Sequence, residues 1–82
     1  MKWSIETQNK KEVLTALKRF EKEVKKKSKN LAKATVTSDK ELIYLSVYMP
    51  VNNKFVAKIL QVEIQSTLSK LDKNIKIKYI SD

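Results

Sequence analysis

Lysine is the residue type whose number and spacing suggest chemistry in this sequence. The stretch 18–30, KRFEKEVKKKSKN, holds six lysines and one arginine in thirteen positions. A lysine ammonium is a flexible point charge that suits phosphate backbones better than base edges. We therefore predict nucleic-acid binding that tolerates changes of sequence and weakens steeply with salt. The predicted contact residues are Lys18, Arg19, Lys22, Lys25, Lys26, Lys27, Lys29 and Lys33.

The distribution of charge supports this prediction but leaves a structural alternative open. The chain carries 18 basic and 9 acidic residues, a net charge of +9. Residues 10–33 hold ten basic and three acidic groups, a net of +7, so the other 58 residues contribute only +2. Such a local charge attracts polyanions. Lysines in the last turn of a helix also complement the helix dipole while remaining solvated, so both explanations stand at this point.

Enzymatic chemistry has little support in these residues. The chain contains no cysteine, histidine or glycine. Without cysteine and histidine it has no Cys nucleophile, no His base and none of the usual zinc ligands. Without glycine it has no glycine-rich phosphate loop. Arg19 is the single arginine, Asp39 and Glu41 suit a solvated turn, and Glu63 suits an exposed helical position. We expect no enzyme, no metal and no cofactor. Without disulfides, signal peptide or apolar span, we also expect a cytoplasmic protein without membrane contact.

The first half of the chain predicts a strand, a helix and a hairpin. Trp3 and Ile5 alternate with polar residues, as in a half-buried strand. Asn9 and Glu12 have the spacing of a capping box before a helix from Lys10 to about Lys27. Residues 34–37 and 42–49 suit two strands joined by a polar turn. A four-residue loop built on a type I turn is expected there, because two-residue hairpin turns usually need glycine.

The second half predicts a helix and a final strand. Asn52 or Asn53 caps a helix from Lys54 to about Asp72, and an alternating strand covers 75–79. The helix has two apolar stripes, so one face should cover the sheet and the other should meet a partner helix. The main stripe is Val56, Leu60, Ile64, Leu68 and Leu71, and the second is Phe55, Ile59 and Val62.

This order of elements predicts the fold. A β-α-β-β-α-β sequence indicates a single α+β domain over residues 1–82, a ferredoxin-like or split βαβ layout with two helices on one face of an antiparallel sheet. Tyr44 and Tyr48 then share the open sheet face with Lys76 and Lys78. Such a face suits RNA binding or a subunit contact, although LIYLSVYM lacks the glycine and aromatic spacing of RNA-recognition motifs.

The stretch ILQVEIQSTLSKL, residues 59–71, resembles the last helix of the small Pcc-type subunit of the KEOPS complex, which makes threonylcarbamoyl-adenosine in tRNA. The positions in register with the family pattern are Leu60, Ile64, Ser66, Leu68 and Leu71, with Gln61 and Gln65 at its Arg and Asn. Thr67 stands at the aromatic position and Lys70 at the Trp, as in a divergent paralogue.

The resemblance implies a non-catalytic subunit that forms a homodimer or a heterodimer with a sister chain and docks through its helices on a larger catalytic subunit. We expect the partner contacts at Phe55, Ile59, Val62, Ser66, Tyr44 and Tyr48. From the charge, we expect the lysines to hold tRNA. The alternative is a free-standing basic nucleic-acid-binding protein, from a virus or mobile element, that uses the open sheet face.

Overall fold

The computed structural model describes residues 1–51 and 53–81, and it confirms the predicted α+β class and element order. The elements are β1 (Lys2–Glu6), α1 (Lys10–Lys27), β2 (Lys33–Ser38), β3 (Ile43–Tyr48), α2 (Lys54–Leu68) and β4 (Lys76–Ser81). No helix in the described part of the chain is both long enough and apolar enough to cross a bilayer.

The four strands form one antiparallel sheet in the order β2-β3-β1-β4. Trp3 lies opposite Leu45 on one side and Tyr79 on the other, so the central strand β1 aligns its apolar residues with those of both neighbours. The register between β1 and β4 shifts at Lys2 and Trp3. Because side chains alternate along each strand, one face of the sheet is apolar and the other is polar.

The core lies between the apolar face of the sheet and the two helices. Trp3 is fully buried, its ring meets Tyr79 edge-on at 5.6 Å between centroids, and its indole N–H donates to Gln61 Oε1 at 3.2 Å. Burial of each large apolar side chain contributes about 1.5–3 kcal/mol. The largest fully buried side chains are Trp3, Ile5, Leu17, Ile43, Leu45, Leu68 and Val13.

Helix α1 has the predicted bounds, but the predicted capping box is wrong. The Asn9 side chain makes no hydrogen bond to the helix backbone. Its amide nitrogen instead donates to Glu12 Oε2 at 3.0 Å and to the Leu71 carbonyl at 3.2 Å. The side chain therefore joins the start of α1 to the end of the α2 region, a long-range contact that competes with local capping.

Helix α2 begins where predicted, because Asn53 Oδ1 accepts from the Val56 N–H at 2.9 Å. Asn52, the other predicted cap, lies outside the described residues. The helix ends at Leu68, four residues before the predicted end. Leu71 still packs against the core in a following turn, so the apolar spacing continues after the helix has stopped.

Two aspartates organise the loops. In the four-residue hairpin loop, Asp39 Oδ1 accepts from the N–H groups of Glu41 and Leu42, which lowers the Asp39 pKa. Asp72 Oδ2 accepts from the Thr7 hydroxyl at 2.6 Å and the Gln8 N–H at 3.1 Å. Asp72 thereby ties the β1–α1 loop to the α2–β4 loop.

Candidate nucleic-acid interface

Four lysines at the carboxyl end of α1 surround one shallow depression. Lys22, Lys25, Lys26 and Lys29 line it together with Asn30, and its volume is about 340 Å³. The lysines at 22, 25 and 26 have the i, i+3, i+4 spacing that places side chains on one helix face, and Lys29 follows in the turn after the helix. We call Lys22, Lys25, Lys26 and Lys29 the lysine depression.

Within the part of the chain that the structure describes, no carboxylate lies within 4 Å of the ammonium groups of the lysine depression. Among the described residues, the ion pairs within 4 Å are Lys18 with Glu21 at 3.9 Å and Lys76 with Glu6 at 3.8 Å. All four lysines of the depression are exposed. Unpaired like charges on one small surface create a positive potential that an anion can relieve. The negative end of α1 compensates part of this charge.

The backbone beneath the depression is held in a left-handed turn. The Asn30 N–H donates to the Lys25 carbonyl at 3.0 Å and the Lys29 N–H donates to the Lys26 carbonyl at 3.3 Å. These two bonds form a Schellman motif, whose position after the helix usually carries glycine. Here Lys29 has φ 52° and Asn30 has φ 69°. A lysine in this conformation is strained by about 1–2 kcal/mol.

The other four predicted basic contacts lie outside the lysine depression. Lys18 pairs with Glu21, and Lys33 lies on β2 opposite Tyr48, on the open sheet face. Arg19 and Lys27 line a different concavity, the groove between the two helices. The structure thus brings together four of the eight predicted residues and distributes the other four over three surfaces.

The groove between α1 and α2, which we call the interhelical groove, has a volume of about 530 Å³. Its floor is apolar and includes Phe20, Leu60 and Ile64. Its rim carries two basic and two acidic side chains, so it lacks the excess positive charge of the lysine depression. The charged rim residues are Arg19, Lys27, Glu23 and Glu63.

The second apolar stripe of α2 faces away from the core. Phe55 is 73% exposed, Ile59 52% and Val62 67%. Ser66 is exposed on the same side, since it follows Val62 by four residues. We call Phe55, Ile59, Val62 and Ser66 the outer stripe. Exposed aliphatic and aromatic side chains in one row are typical of an interaction surface.

The open sheet face carries the two predicted tyrosines in different settings. Tyr48 is 67% exposed. Tyr44 is half-buried, with the Lys2 ammonium 5.2 Å from its ring centroid and its hydroxyl 3.2 Å from Asp39 Oδ2. Partial desolvation, followed by the nearby Asp39 carboxylate, raises the Tyr44 pKa. One face of the Tyr44 ring is therefore already occupied by a cation from its own chain.

Two residues at these surfaces were not predicted from the sequence. Lys2 lies on the open sheet face. The sequence could have predicted this position, because the residue next to a buried strand residue such as Trp3 points to the opposite face of the sheet. Asn30 lines the lysine depression, and the tolerance of asparagine for left-handed backbone was the corresponding signal.

The chain matches no protein-family model, no curated protein and no solved structure.

Proposed function

We propose that this protein is a non-catalytic subunit that binds a nucleic acid through its phosphate backbone, with the lysine depression as the main contact. The observation that carries the proposal is the set of four exposed ammonium groups around one depression, without a carboxylate within 4 Å in the described chain. Each phosphate neutralised by a lysine releases condensed counterions, which favours binding at low salt.

The form of the site suits a backbone ligand better than a small anion. The depression is open and formed by flexible side chains, without an arginine fork to orient one phosphate group. A chain of phosphates, in contrast, can contact several ammonium groups at once without exact geometry. Within this proposal, tRNA is the first nucleic acid to test, because the resemblance of residues 59–71 implies a cytoplasmic tRNA-modification complex of the KEOPS type.

The test is the salt dependence of tRNA binding, measured by fluorescence anisotropy. In the variant with glutamine at all four positions of the lysine depression, the slope of log K against log salt should become shallower by about 3 to 4. The matched control removes the same charge from exposed lysines elsewhere, at Lys11, Lys40, Lys54 and Lys73. An equal loss of slope in the control would show that net charge alone drives binding and would overturn the proposal.

A second candidate interface is the open sheet face, favoured by the exposure of Tyr48 and its position opposite Lys33. Exposed aromatics can stack on unpaired bases, at about 1–3 kcal/mol per base. Tyr44→Ala and Tyr48→Ala separate the two sites. If these changes abolish binding of a single-stranded RNA while the glutamine variant binds normally, the sheet face is the interface and the lysine depression is not.

A further inference from the structure

We propose that the outer stripe of α2 binds a second copy of this chain, with the two α2 helices side by side and parallel. This contact does not require a bound nucleic acid. The residues of the outer stripe follow one another by four, three and four positions. This alternation is the d, a, d, a order of the heptad repeat by which two helices pack together.

The stripe is free to make this contact. Ala57, Ile64 and Leu68 turn α2 toward its own core, on the side opposite the outer stripe. The helix is already folded and capped within its domain, so pairing does not need to nucleate a helix. Three of the four stripe residues are apolar and more than half exposed, and pairing would remove them from water.

The charges beside the stripe select a second copy in the parallel orientation. Lys58 and Glu63 flank the stripe on its two sides, at the g and e positions, and both are exposed. In a parallel pair, a g residue faces the e residue five positions later in the other helix. Lys58 of each copy therefore faces Glu63 of the other, which forms two symmetric ion pairs.

The antiparallel orientation lacks this complementarity. There the same flank of each helix meets its counterpart, so Lys58 approaches Lys58 and Glu63 approaches Glu63. The distribution of net charge along the chain also favours α2 as the contact surface. Residues 54–68 carry two lysines and one glutamate, a net of +1, whereas residues 10–33 carry +7. Two chains of charge +9 therefore repel each other less where their α2 helices meet than they would where residues 10–33 meet.

The interface is small, because it spans less than two heptads. Small interfaces give weak or transient complexes, so we expect dissociation constants in the micromolar range or above. Sedimentation velocity without nucleic acid, at protein concentrations up to about 1 mM, should show a monomer–dimer equilibrium. A sedimentation coefficient that stays that of a monomer over the whole range would overturn the proposal.

The orientation is tested by cysteine cross-linking, because the natural chain contains no cysteine. In a parallel pair, equal positions face each other, so Ser66→Cys should form a disulfide-linked dimer under mild oxidation. Ser66→Cys is nearly isosteric, so loss of folding is not expected. Thr67→Cys, the next residue and outside the stripe, is the matched control and should remain largely monomeric.

The antiparallel alternative predicts a different disulfide, between Ile59→Cys of one chain and Val62→Cys of another. Mixed oxidation of these two variants therefore distinguishes the orientations. Preferential formation of the mixed dimer, with Ser66→Cys no more reactive than Thr67→Cys, would overturn the parallel arrangement.

Charge exchange tests the proposed ion pairs. Lys58→Glu should weaken dimerisation at least about tenfold, because two attractive pairs become repulsive. The double variant Lys58→Glu with Glu63→Lys should restore it at unchanged net charge. Lys54→Glu, which changes the net charge by the same amount outside the stripe, should have a smaller effect than Lys58→Glu. Equal effects of Lys54→Glu and Lys58→Glu, without restoration by the double variant, would contradict the pairing.

Discussion

The carboxylate of Glu21 accepts a hydrogen bond from the backbone N–H of Val36 at 2.6 Å. Glu21 belongs to α1, whereas Val36 lies in β2, the edge strand beside β3. An edge strand presents unpaired backbone groups that can join another sheet. The half-buried Glu21 side chain therefore satisfies one such donor and fastens the helix to the sheet at the same point.

Replacing Glu21 with alanine should destabilise the fold by about 1–2 kcal/mol, because the Val36 N–H loses a charged acceptor. Urea unfolding followed by Trp3 fluorescence measures this change. Glu23→Ala removes the same charge from an exposed position of the same helix and should leave the urea midpoint nearly unchanged. A similar loss in both variants would show that helix charge, rather than the bond to Val36, is responsible.

The strained turn after α1 should accept glycine with a gain in stability. Lys29→Gly relieves the left-handed conformation and should raise the free energy of unfolding by about 0.5–1 kcal/mol. The same variant should weaken nucleic-acid binding, since it removes one ammonium group from the lysine depression. Thermal unfolding and tRNA anisotropy measure the two effects.

Asn30→Gly is the control for this turn, because it also relaxes a positive φ but leaves the charge unchanged. Because it keeps all four ammonium groups, its affinity for tRNA should fall less than that of Lys29→Gly. If Lys29→Gly binds as tightly as Asn30→Gly, the ammonium of Lys29 does not contribute to the interface.

The contact between Trp3 and Gln61 should be important for stability. Gln61→Ala leaves the buried indole N–H without its acceptor, which should cost about 1–3 kcal/mol. The Trp3 emission reports unfolding directly, because this is the single tryptophan of the chain. Gln65→Ala makes the same chemical change at an exposed position of α2 and should be nearly neutral.

Asp72 should make the stability depend on pH in the acid range. Hydrogen bonds from the Thr7 hydroxyl, then from the Asn74 and Gln8 N–H groups, hold its pKa below the ordinary value of 3.8. Because the folded pKa is lower than the unfolded one, the stabilisation is complete above pH 3.8 and disappears as the pH falls through the folded pKa.

The measurement is the urea midpoint of the natural chain and of Asp72→Asn from neutral to acid pH. The midpoint of Asp72→Asn should fall less on acidification than that of the natural chain. Asp39 also has a lowered pKa, so Asp39→Asn is needed to separate the two contributions. A parallel decline in the natural chain and in Asp72→Asn would contradict a role for Asp72.

The sequence predicted those elements whose signals are local and periodic. The bounds of α1 and the cap at Asn53 follow from apolar spacing and a single side-chain contact. The end of α2 could not be found in this way, because Leu71 keeps the apolar spacing after the helix stops. The Asn9 capping box was wrong because the Asn9 side chain bonds instead to Glu12 and Leu71, the latter a residue far along the chain.

The positions of the candidate site residues were also only partly predictable from local sequence patterns. The sequence indicated the basic segment, but its composition could not show that Lys33 belongs to the sheet face or that Arg19 and Lys27 line the interhelical groove. These placements depend on the rotation of α1 over the sheet and on the path of the turn at Lys29 and Asn30. The bond from Val36 to Glu21 joins residues 15 positions apart, which no short pattern encodes.

The interhelical groove affects which parts of the domain unfold first. Helix α1 lies against β2 and β3, whereas α2 lies closest to β4, and the groove keeps the two helices apart. Partial unfolding of α2 therefore need not disturb α1. Amide hydrogens of α2 should exchange with solvent deuterium by such openings, while those of β1 and β3 should exchange only when the whole domain unfolds.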